Sequence, residues 1–458
     1  MSFKPYFRVG IAYSLGLYGL SVSFASAQTS VFETTENKFP ITAVSTELNV
    51  PLSLKAALEA ADFRNPRILA ARQEYAISET DVRLARSAKK PLIEANASYG
   101  YIEQDNSFTT APGQSFSGET TDLGVSLRQP LFRGFQTRNA VNRTKAIALA
   151  TETQIKAIEQ QVFLEVITAY LDTHRDFAIL RLNLENLEAL KEQLEANEKR
   201  YQLKDTSLTD VARTKSAVAS AYTQIADARA NYAASKSTFF RLTGLPAENL
   251  EPVTPSDPIT PHSIEVFLTK ALRNNAAISS AQYALKASEY AVEEAKGARL
   301  PSVDLNSSVS RGQRPENFGL FSDNRTTVSA NAVVSVRIPI YQAGQEFENI
   351  KRSKQIRQLR NIQLTQTTAD VRDTSLILWD RLEASKIALA SHEEAVNSAE
   401  TAANGTRKIY RSGLISAIDL LDTEQILLGA KIARENAKHD HIVTAYSLLS
   451  VMGDIKYD

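Results

Sequence analysis

Pro91-Leu92-Ile93-Glu94-Ala95-Asn96-Ala97-Ser98-Tyr99-Gly100-Tyr101 is the stretch that decides the fold. Before it, from Leu52 to Ala88, apolar residues recur at helical spacing. Pro91 cannot continue a helix, because it lacks an N–H and pushes the preceding residue towards extended backbone. After it the period falls to two. Ile93, Ala95, Ala97, Tyr99 and Tyr101 share one face, and Glu94, Asn96, Ser98 and Gly100 the other. Period two places alternate side chains on opposite faces of a strand. The alternation returns three times: Leu123, Val125 and Leu127 against Asp122, Ser126 and Arg128; Val303, Leu305 and Val309 against Asp304, Asn306 and Ser308; and Val328 to Ile338 against Ser329, Asn331, Ser335 and Arg337. The expected strands are about 92–103, 120–131, 302–311 and 326–340.

The whole arrangement is written twice, with a shift of 209 or 210 residues. Ser53, Asn65, Pro91, Pro130 and Gly134 recur as Ser263, Asn275, Pro301, Pro339 and Gly344. Tyr170 is answered by Trp379, Tyr201 by Tyr410, Asp210 by Asp419, Thr214 by Thr423 and Gly244 by Gly453. Such register marks an internal repeat. The expected organisation is a first repeat over 51–245, a proline-rich linker over 246–261, a second repeat over 262–453 and a tail over 454–458. Each repeat reads helix, strand, strand, very long helix, turn, helix. Pro91, Pro130, Pro301 and Pro339 mark the helix–strand joins.

The alternation has two readings. One is a half-buried sheet on a soluble core. The other is a transmembrane barrel, apolar towards lipid and polar towards its lumen. Strand lengths near ten residues and the lack of another globular core favour the barrel. Four strands cannot close one, and an open edge in lipid leaves backbone groups unpaired at several kcal/mol each. Several chains must then share one barrel. The segments Asp105 to Glu119 and Gly312 to Arg325, rich in Gly, Pro, Ser and Asn, read as loops between paired strands.

Nothing breaks a helix from about Gln136 to Leu203, a length of ~100 Å at 1.5 Å per residue. Phe177, Leu180, Leu184, Leu187, Leu194 and Tyr201 follow a heptad seam, with Leu182, Ala189 and Leu190 as a second stripe. Two stripes suit a helix with a neighbour on each side, as in a closed wall of helices. The helices at 52–88 and 207–243 are each about half as long. The segment Ala217 to Ala234, rich in Ala and Ser, permits close approach. Charges on the other faces place such a wall outside the membrane.

At the N-terminus, Lys4 and Arg8, the apolar stretch Val9 to Leu20 and Ala25-Ser26-Ala27 form a signal peptide over 1–27. The apolar stretch is shorter than the roughly 20 residues a spanning helix needs. An extension over 28–50 follows. The chain has no cysteine. That excludes disulfides, thiolate metal sites, a cysteine nucleophile and a lipidated N-terminal cysteine. Without Lys4 and Arg8, 50 basic residues face 52 acidic ones, a balance that gives no reason to expect nucleic acid.

The duplicated helix-strand-strand-helix order resembles the TolC family of outer-membrane efflux and secretion proteins. So do Gln129-Pro130-Leu131-Phe132-Arg133-Gly134 and Ile338-Pro339-Ile340-Tyr341-Gln342-Ala343-Gly344 at the strand-to-helix joins. So does Tyr410-Arg411-Ser412-Gly413-Leu414, followed by Asp419-Leu420-Leu421-Asp422. The resemblance spans roughly residues 51 to 453. It implies an α+β membrane protein: a homotrimer with a twelve-stranded barrel in the outer-membrane lipid of a Gram-negative cell, continued by a long periplasmic α-helical barrel. It implies no enzyme activity and no cofactor. It implies a periplasmic adaptor protein and an inner-membrane RND pump or ABC transporter as partners, for multidrug efflux or type I protein secretion.

The helix-turn-helix tips carry the candidate functional residues. Ser207-Leu208-Thr209-Asp210 and Ser416-Ala417-Ile418-Asp419 fit Ser-x-x-acid, the pattern of a helix cap with Ser207 and Ser416 at the cap position. Asp210 and Asp419 then stabilise helix starts. Asp422, one turn on, has Arg213 as its first-repeat counterpart, and capping does not explain it. A solvated face is one reading of the Asp419–Asp422 pair. The resemblance implies another: an acidic ring at the periplasmic pore entrance. Six carboxylates around one axis would attract cations. The resemblance also places Tyr410 and Asp210 in a network that holds the entrance closed. The arginine expected beside them is Ile415 here, with Arg411 and Lys408 as possible substitutes. The turns, with Lys204, Asp205, Ser412, Gly413 and Leu414, are the expected adaptor contacts.

Other chemistry finds no support. His174, His262, His392, His439 and His441 are scattered, and His439 and His441 point away from each other on a helix. No phosphate-binding glycine loop or nucleophile–base–acid set can be assembled. A barrel-anchored coiled-coil adhesin would carry its strands at one end of the chain, whereas here strands interrupt the helices in both halves.

Overall fold

The computed structural model describes residues 51–104, 116–253, 263–318, 321–412 and 414–456. The expected signal peptide and the extension 28–50 lie outside the described residues, as do most of the linker, the tip of the first strand pair and Gly413. The elements run α1 (Leu54–Arg64), α2 (Pro66–Ser87), β1 (Leu92–Gln104), β2 (Phe116–Arg133), α3 (Gln136–Gln202) and α4 (Leu208–Thr243). Then come α5 (Ile264–Asn274), α6 (Ala276–Gly297), β3 (Ser302–Phe318), β4 (Phe321–Arg337), α7 (Gln345–Arg411) and α8 (Ala417–Met452). Equivalent helices have equal lengths: 11 residues in α1 and α5, 22 in α2 and α6, 67 in α3 and α7, and 36 in α4 and α8.

The helix expected over 52–88 is two helices. Pro66 at the start of α2 removes a helical N–H, and Asn65 sits extended between the pair (φ −68°, ψ 122°). Asn275 breaks the second repeat in the same way without a proline. The Asn65 Oδ1 accepts from the N–H of Arg67 (3.0 Å) while its Nδ2 donates to the Leu242 carbonyl (3.1 Å). Asn275 likewise caps at Ala277 (3.0 Å) and donates to the Val451 carbonyl (3.0 Å). Each asparagine therefore pins a short helix pair to the end of α4 or α8.

The core lies where these short helices meet the middle of the long ones. Ala57, Ile68, Val162, Val166, Tyr170 and Phe239 belong to one buried cluster. The Tyr170 hydroxyl lies 2.7 Å from the carbonyl oxygens of Leu52 and Glu251, so the part of the linker up to Val253 is docked rather than free. In the second repeat Phe267, Leu382, Leu448 and Met452 form the equivalent cluster, with Trp379 stacked on Phe267 at 6.1 Å. Both aromatic residues of the Tyr170–Trp379 pair are packing residues. Between the clusters and the sheet the helices lie side by side in the order α2, α3, α6, α7.

The strands form one antiparallel layer, β1-β2-β3-β4. Its apolar face carries Ile93, Val125, Val309 and Val334, each more than half exposed in the single chain. The polar face carries Asn96, Asp122, Ser126, Asp304, Asn306 and Ser335. The layer has no partner sheet to bury either face, and the outer edges of β1 and β4 are unpaired among the described residues.

Strand bounds differ from the expected ones. β2 is longer at both ends, and β4 starts earlier and stops before Pro339. Most of the expected loop from Gly312 to Arg325 is hairpin, paired from Gly312–Thr327 to Phe318–Phe321. Backbone hydrogen bonds build a ladder whatever the side-chain composition. Pro315 is tolerated because the β2–β3 ladder ends at Thr121–Gln313, so its missing N–H costs no bond there.

The joins also differ. Pro130 sits inside β2, where the register to β3 slips between Pro130 and Phe132. Gly134 (φ +55°) then turns the chain into α3. A Cβ there would stand 2.3 Å from the Gly297 carbonyl oxygen, and one on Gly297 would stand 2.3 Å from that of Gly134. Two bare backbones touch at this corner. Gly344 (φ +81°) makes the same turn into α7 with nothing within 4 Å.

Candidate channel entrance

At the far end of α3 the last turn unwinds through Leu203 and Lys204, the latter in the left-handed region (φ 63°). Arg200 closes the turn by donating to Asp205 (2.9 Å). Ser207 then caps α4: its Oγ accepts from the N–H of Asp210 (3.1 Å), and the Asp210 carboxylate accepts from the N–H of Ser207 (3.3 Å). Hydrogen bonds from the hydroxyls of Ser207 and Thr206 outweigh partial burial and hold the Asp210 carboxyl below the usual range. Ser416 and Asp419 make the same reciprocal cap at the start of α8 (3.4 and 3.2 Å). Both Ser-x-x-acid motifs are therefore capping boxes in this structure.

The structure separates the other candidates. Asp422 is exposed, and its carboxylate makes no hydrogen bond or ion pair among the described residues. Lys204, Asp205, Ser412 and Leu414 are exposed on the two turns. Ile415 packs against the cluster of Tyr410, Ala417 and Leu420. The Tyr410 hydroxyl donates to the Oδ1 of Asn197 and not to Asp210. The cation beside Tyr410 is neither Arg411 nor Lys408. It is Arg200 from α3, whose guanidinium lies over the ring at 5.2 Å. On the α7–α8 side Arg407 makes a two-pronged ion pair with Glu424, its Nη2 2.7 Å from Oε2.

Sequence reading missed Asn197 and Arg200. Of the expected seam, Leu187 is buried with Leu180 packed beside it, whereas Phe177, Leu184 and Tyr201 are 50, 40 and 43% exposed. The buried line joins Leu187 of that seam and Leu190 of the second stripe to Asn183 and Asn197, which lie seven residues either side of Leu190. The two asparagines carry no apolar signal.

Further along, α3 and α8 are joined through His439. Its Nε2 lies 3.0 Å from Asp172 Oδ1 and its Nδ1 2.9 Å from Asp440 Oδ1. The Nε2–H does not point squarely at Asp172, so that contact is an ion pair more than a linear hydrogen bond. Burial pulls the imidazole down, but the two carboxylates outweigh it and raise it above the usual histidine range. Burial likewise pushes Asp172 up, and His439 and Arg175 together bring it below its usual range.

Among the described residues no helix is long and apolar enough to cross a membrane, and no group of three metal-ligating side chains forms. The family model for outer membrane efflux proteins matches residues 57–245 and 267–454. The chain belongs to the outer membrane efflux protein family. Members of the family are transport channels of the outer membrane, and this chain is an exit channel for efflux or type I secretion.

Its similarity to individual members is spread along the chain. It is 27% identical to the outer membrane efflux protein BepC of Brucella suis biovar 1, covering 89% of this chain and 86% of the relative. It is 23% identical to the alkaline protease secretion protein AprF of Pseudomonas aeruginosa (84% and 81%) and 21% identical to the outer membrane protein TolC of Escherichia coli (88% and 82%). Among solved structures, a CusC channel superposes with a TM-score of 0.76 at 17% identity (88% and 92%). The Vibrio cholerae channel VceC does so with 0.73 at 18% (87% and 96%). These likenesses show that the fold is the family's.

Proposed function

We propose that three copies of this efflux-family chain close one twelve-stranded barrel in the outer membrane, continued by a tunnel of helices through the periplasm. The single-layer sheet carries this reading. It is apolar on one face, polar on the other and unpaired at both edges among the described residues. In lipid, closure is the only way to satisfy those edges. The exposed residues Ile77 and Leu84 on α2, and Phe347, Leu359 and Ile362 on α7, lie on the two flanking helices of the row, where adjacent copies would meet.

In this assembly the hairpin tips converge at the periplasmic end. Asp419 and Asp422 of three chains form an acidic ring that favours cations. Asp419 shares its carboxylate with the helix cap, so Asp422 is the freer contributor. Tyr410 helps to hold the entrance closed, and Asp210 contributes indirectly, by fixing the start of α4. A periplasmic adaptor docks on the exposed turns around Lys204, Asp205, Ser412, Gly413 and Leu414. An RND pump or an ABC transporter drives the cargo. Native mass spectrometry of the detergent-extracted protein tests the assembly, with a mass of three copies expected and a monomer or dimer sinking it. A deletion strain tests the cargo. Drug and bile-salt hypersensitivity with an unchanged secretome means efflux, and loss of a secreted protein with normal susceptibility means type I secretion.

A further inference from the structure

Near the tips, where α3, α4 and α7 converge, one amide is fully enclosed. Asn197 has no exposed surface. Its Nδ2 donates to Thr214 Oγ1 on α4 (2.8 Å), and its Oδ1 accepts from the Tyr410 hydroxyl on α7. The Thr214 hydroxyl in turn donates to the Asp210 carbonyl (2.9 Å). One chain of hydrogen bonds thus runs from the capped start of α4, through α3, to the last turn of α7. Arg200, one turn beyond Asn197, covers the Tyr410 ring and is itself held by Asp205.

The choice of residue is informative. Asn197 lies seven residues from Leu190 on the buried line of α3, where an apolar side chain would pack without any polar group to satisfy. A buried asparagine in a helix seam gives up stability and fixes which helices pair, and in what register. The two bonds of Asn197 also differ in reach. The one to Thr214 stays within the α3–α4 hairpin, while the one to Tyr410 crosses from the first repeat to the second, 213 residues apart.

We infer that Asn197 is the positioning residue of the entrance: held by Thr214, it presents a fixed acceptor to Tyr410 and so keeps the α7–α8 tip against the α3–α4 tip. This rests on the exit-channel reading and assigns the partner of Tyr410 within it. Opening then costs the Asn197–Tyr410 bond and the Arg200–Tyr410 contact, while the Asn197–Thr214 bond persists in both states. Ile415, in place of the arginine the family resemblance leads one to expect, is accommodated because the restraint comes from α3.

The test is single-channel recording of the full-length protein in planar bilayers, with outer-membrane yield and native mass as controls for folding. Asn197→Leu should raise resting open-state occupancy on the order of fivefold, the worth of one net hydrogen bond. Tyr410→Phe should do the same, and the double variant should do no more than either alone, because both remove one bond. Asn197→Asp keeps the acceptor and should lie closer to wild type than Asn197→Leu. The chain has no cysteine of its own. A short bis-maleimide bridging Asn197→Cys and Tyr410→Cys should therefore hold the resting conductance down, whatever the yield of Asn197→Leu. Wild-type occupancy in Asn197→Leu, an additive double variant or a bridged channel that opens normally overturns the inference and leaves the channel reading intact. If the wild-type protein conducts nothing, the channel reading itself fails, and the inference with it.

Discussion

The two repeats share a frame and differ at both ends. At the joins, Gly134 is pressed against Gly297, while its counterpart Gly344 makes the same left-handed turn in open space. At the tips, Tyr201 is 43% exposed while its counterpart Tyr410 is 8% exposed and bonded to Asn197. The position equivalent to Asn197 in the second repeat is Thr406, and that equivalent to Asp422 in the first is Arg213. The helix caps do not differ: Ser207–Asp210 and Ser416–Asp419 make one motif twice. Features that serve the backbone have been kept in both copies, and the side-chain contacts between elements have diverged. A residue's counterpart in the other repeat therefore predicts its conformation better than its role.

The widest separation is expected at the joins. Gly134→Ala drives a Cβ into a carbonyl and should cost about 3 kcal/mol or more, read as loss of assembled protein from the outer membrane. Gly344→Ala meets no atom and should cost about 1 kcal/mol for its backbone angle alone. Equal losses would break the contrast. The tyrosines come next. Tyr410→Phe should raise resting open-state occupancy on the order of fivefold, and Tyr201→Phe should leave bilayer recordings unchanged. A matching effect of Tyr201→Phe would mean that both tips carry the restraint.

The acids should separate more weakly. Asp422→Asn is expected to lower cation selectivity in reversal-potential measurements, with little change for Arg213→Gln. A selectivity that survives Asp422→Asn removes the acidic ring from the entrance. The caps sharpen the comparison from the other side: Ser207→Ala and Ser416→Ala should each cost about 1 kcal/mol, with equal shifts in thermal unfolding.

The smallest effect belongs to a second side-chain contact between the repeats. His439 faces Asp172 and Arg175 of α3 and Asp440 of its own helix. Its raised value means that its stabilisation is complete below the unfolded value near 6.5 and is lost as pH rises through the folded one. Asp172, lowered, contributes above its unfolded value and loses its contribution only on acidification. The melting temperature of the wild type relative to His439→Gln should therefore fall from pH 6 towards pH 8. A difference that does not change with pH would mean that His439 merely packs.

Much of the scaffold was legible from period and punctuation. The switch from helical spacing to alternation at Pro91, and its return around residue 301, located all four strands. Matching residues at 209 or 210 positions exposed the duplication. Ser-x-x-Asp placed the starts of α4 and α8. Errors arose where local composition and tertiary pairing disagree. Most of Gly312 to Arg325 looks like loop but is ladder, because β3 and β4 satisfy each other's backbone there. The break at Asn275 has no proline to announce it, and the cause is a side chain that caps one helix while bonding Val451 at the end of another. On α3, Leu187 and Leu190 of the expected stripes are buried, but Asn183 and Asn197 on the same line gave no signal because they are polar residues at buried positions.

The sequence by itself determined the repeat, the extent of the long helices, the alternation of the strands and the caps. Each of these follows from backbone angles or hydrogen bonds between residues a few positions apart, or from a periodicity that one segment displays on its own. Only the tertiary structure decided which acceptor Tyr410 would meet, which cation would cover its ring, and that Asn65 and Asn275 would pin short helices to the ends of α4 and α8. Those partners are distant in sequence, and they meet only when whole helices pack in one register. That register is set by the summed burial of many side chains, which no single motif records.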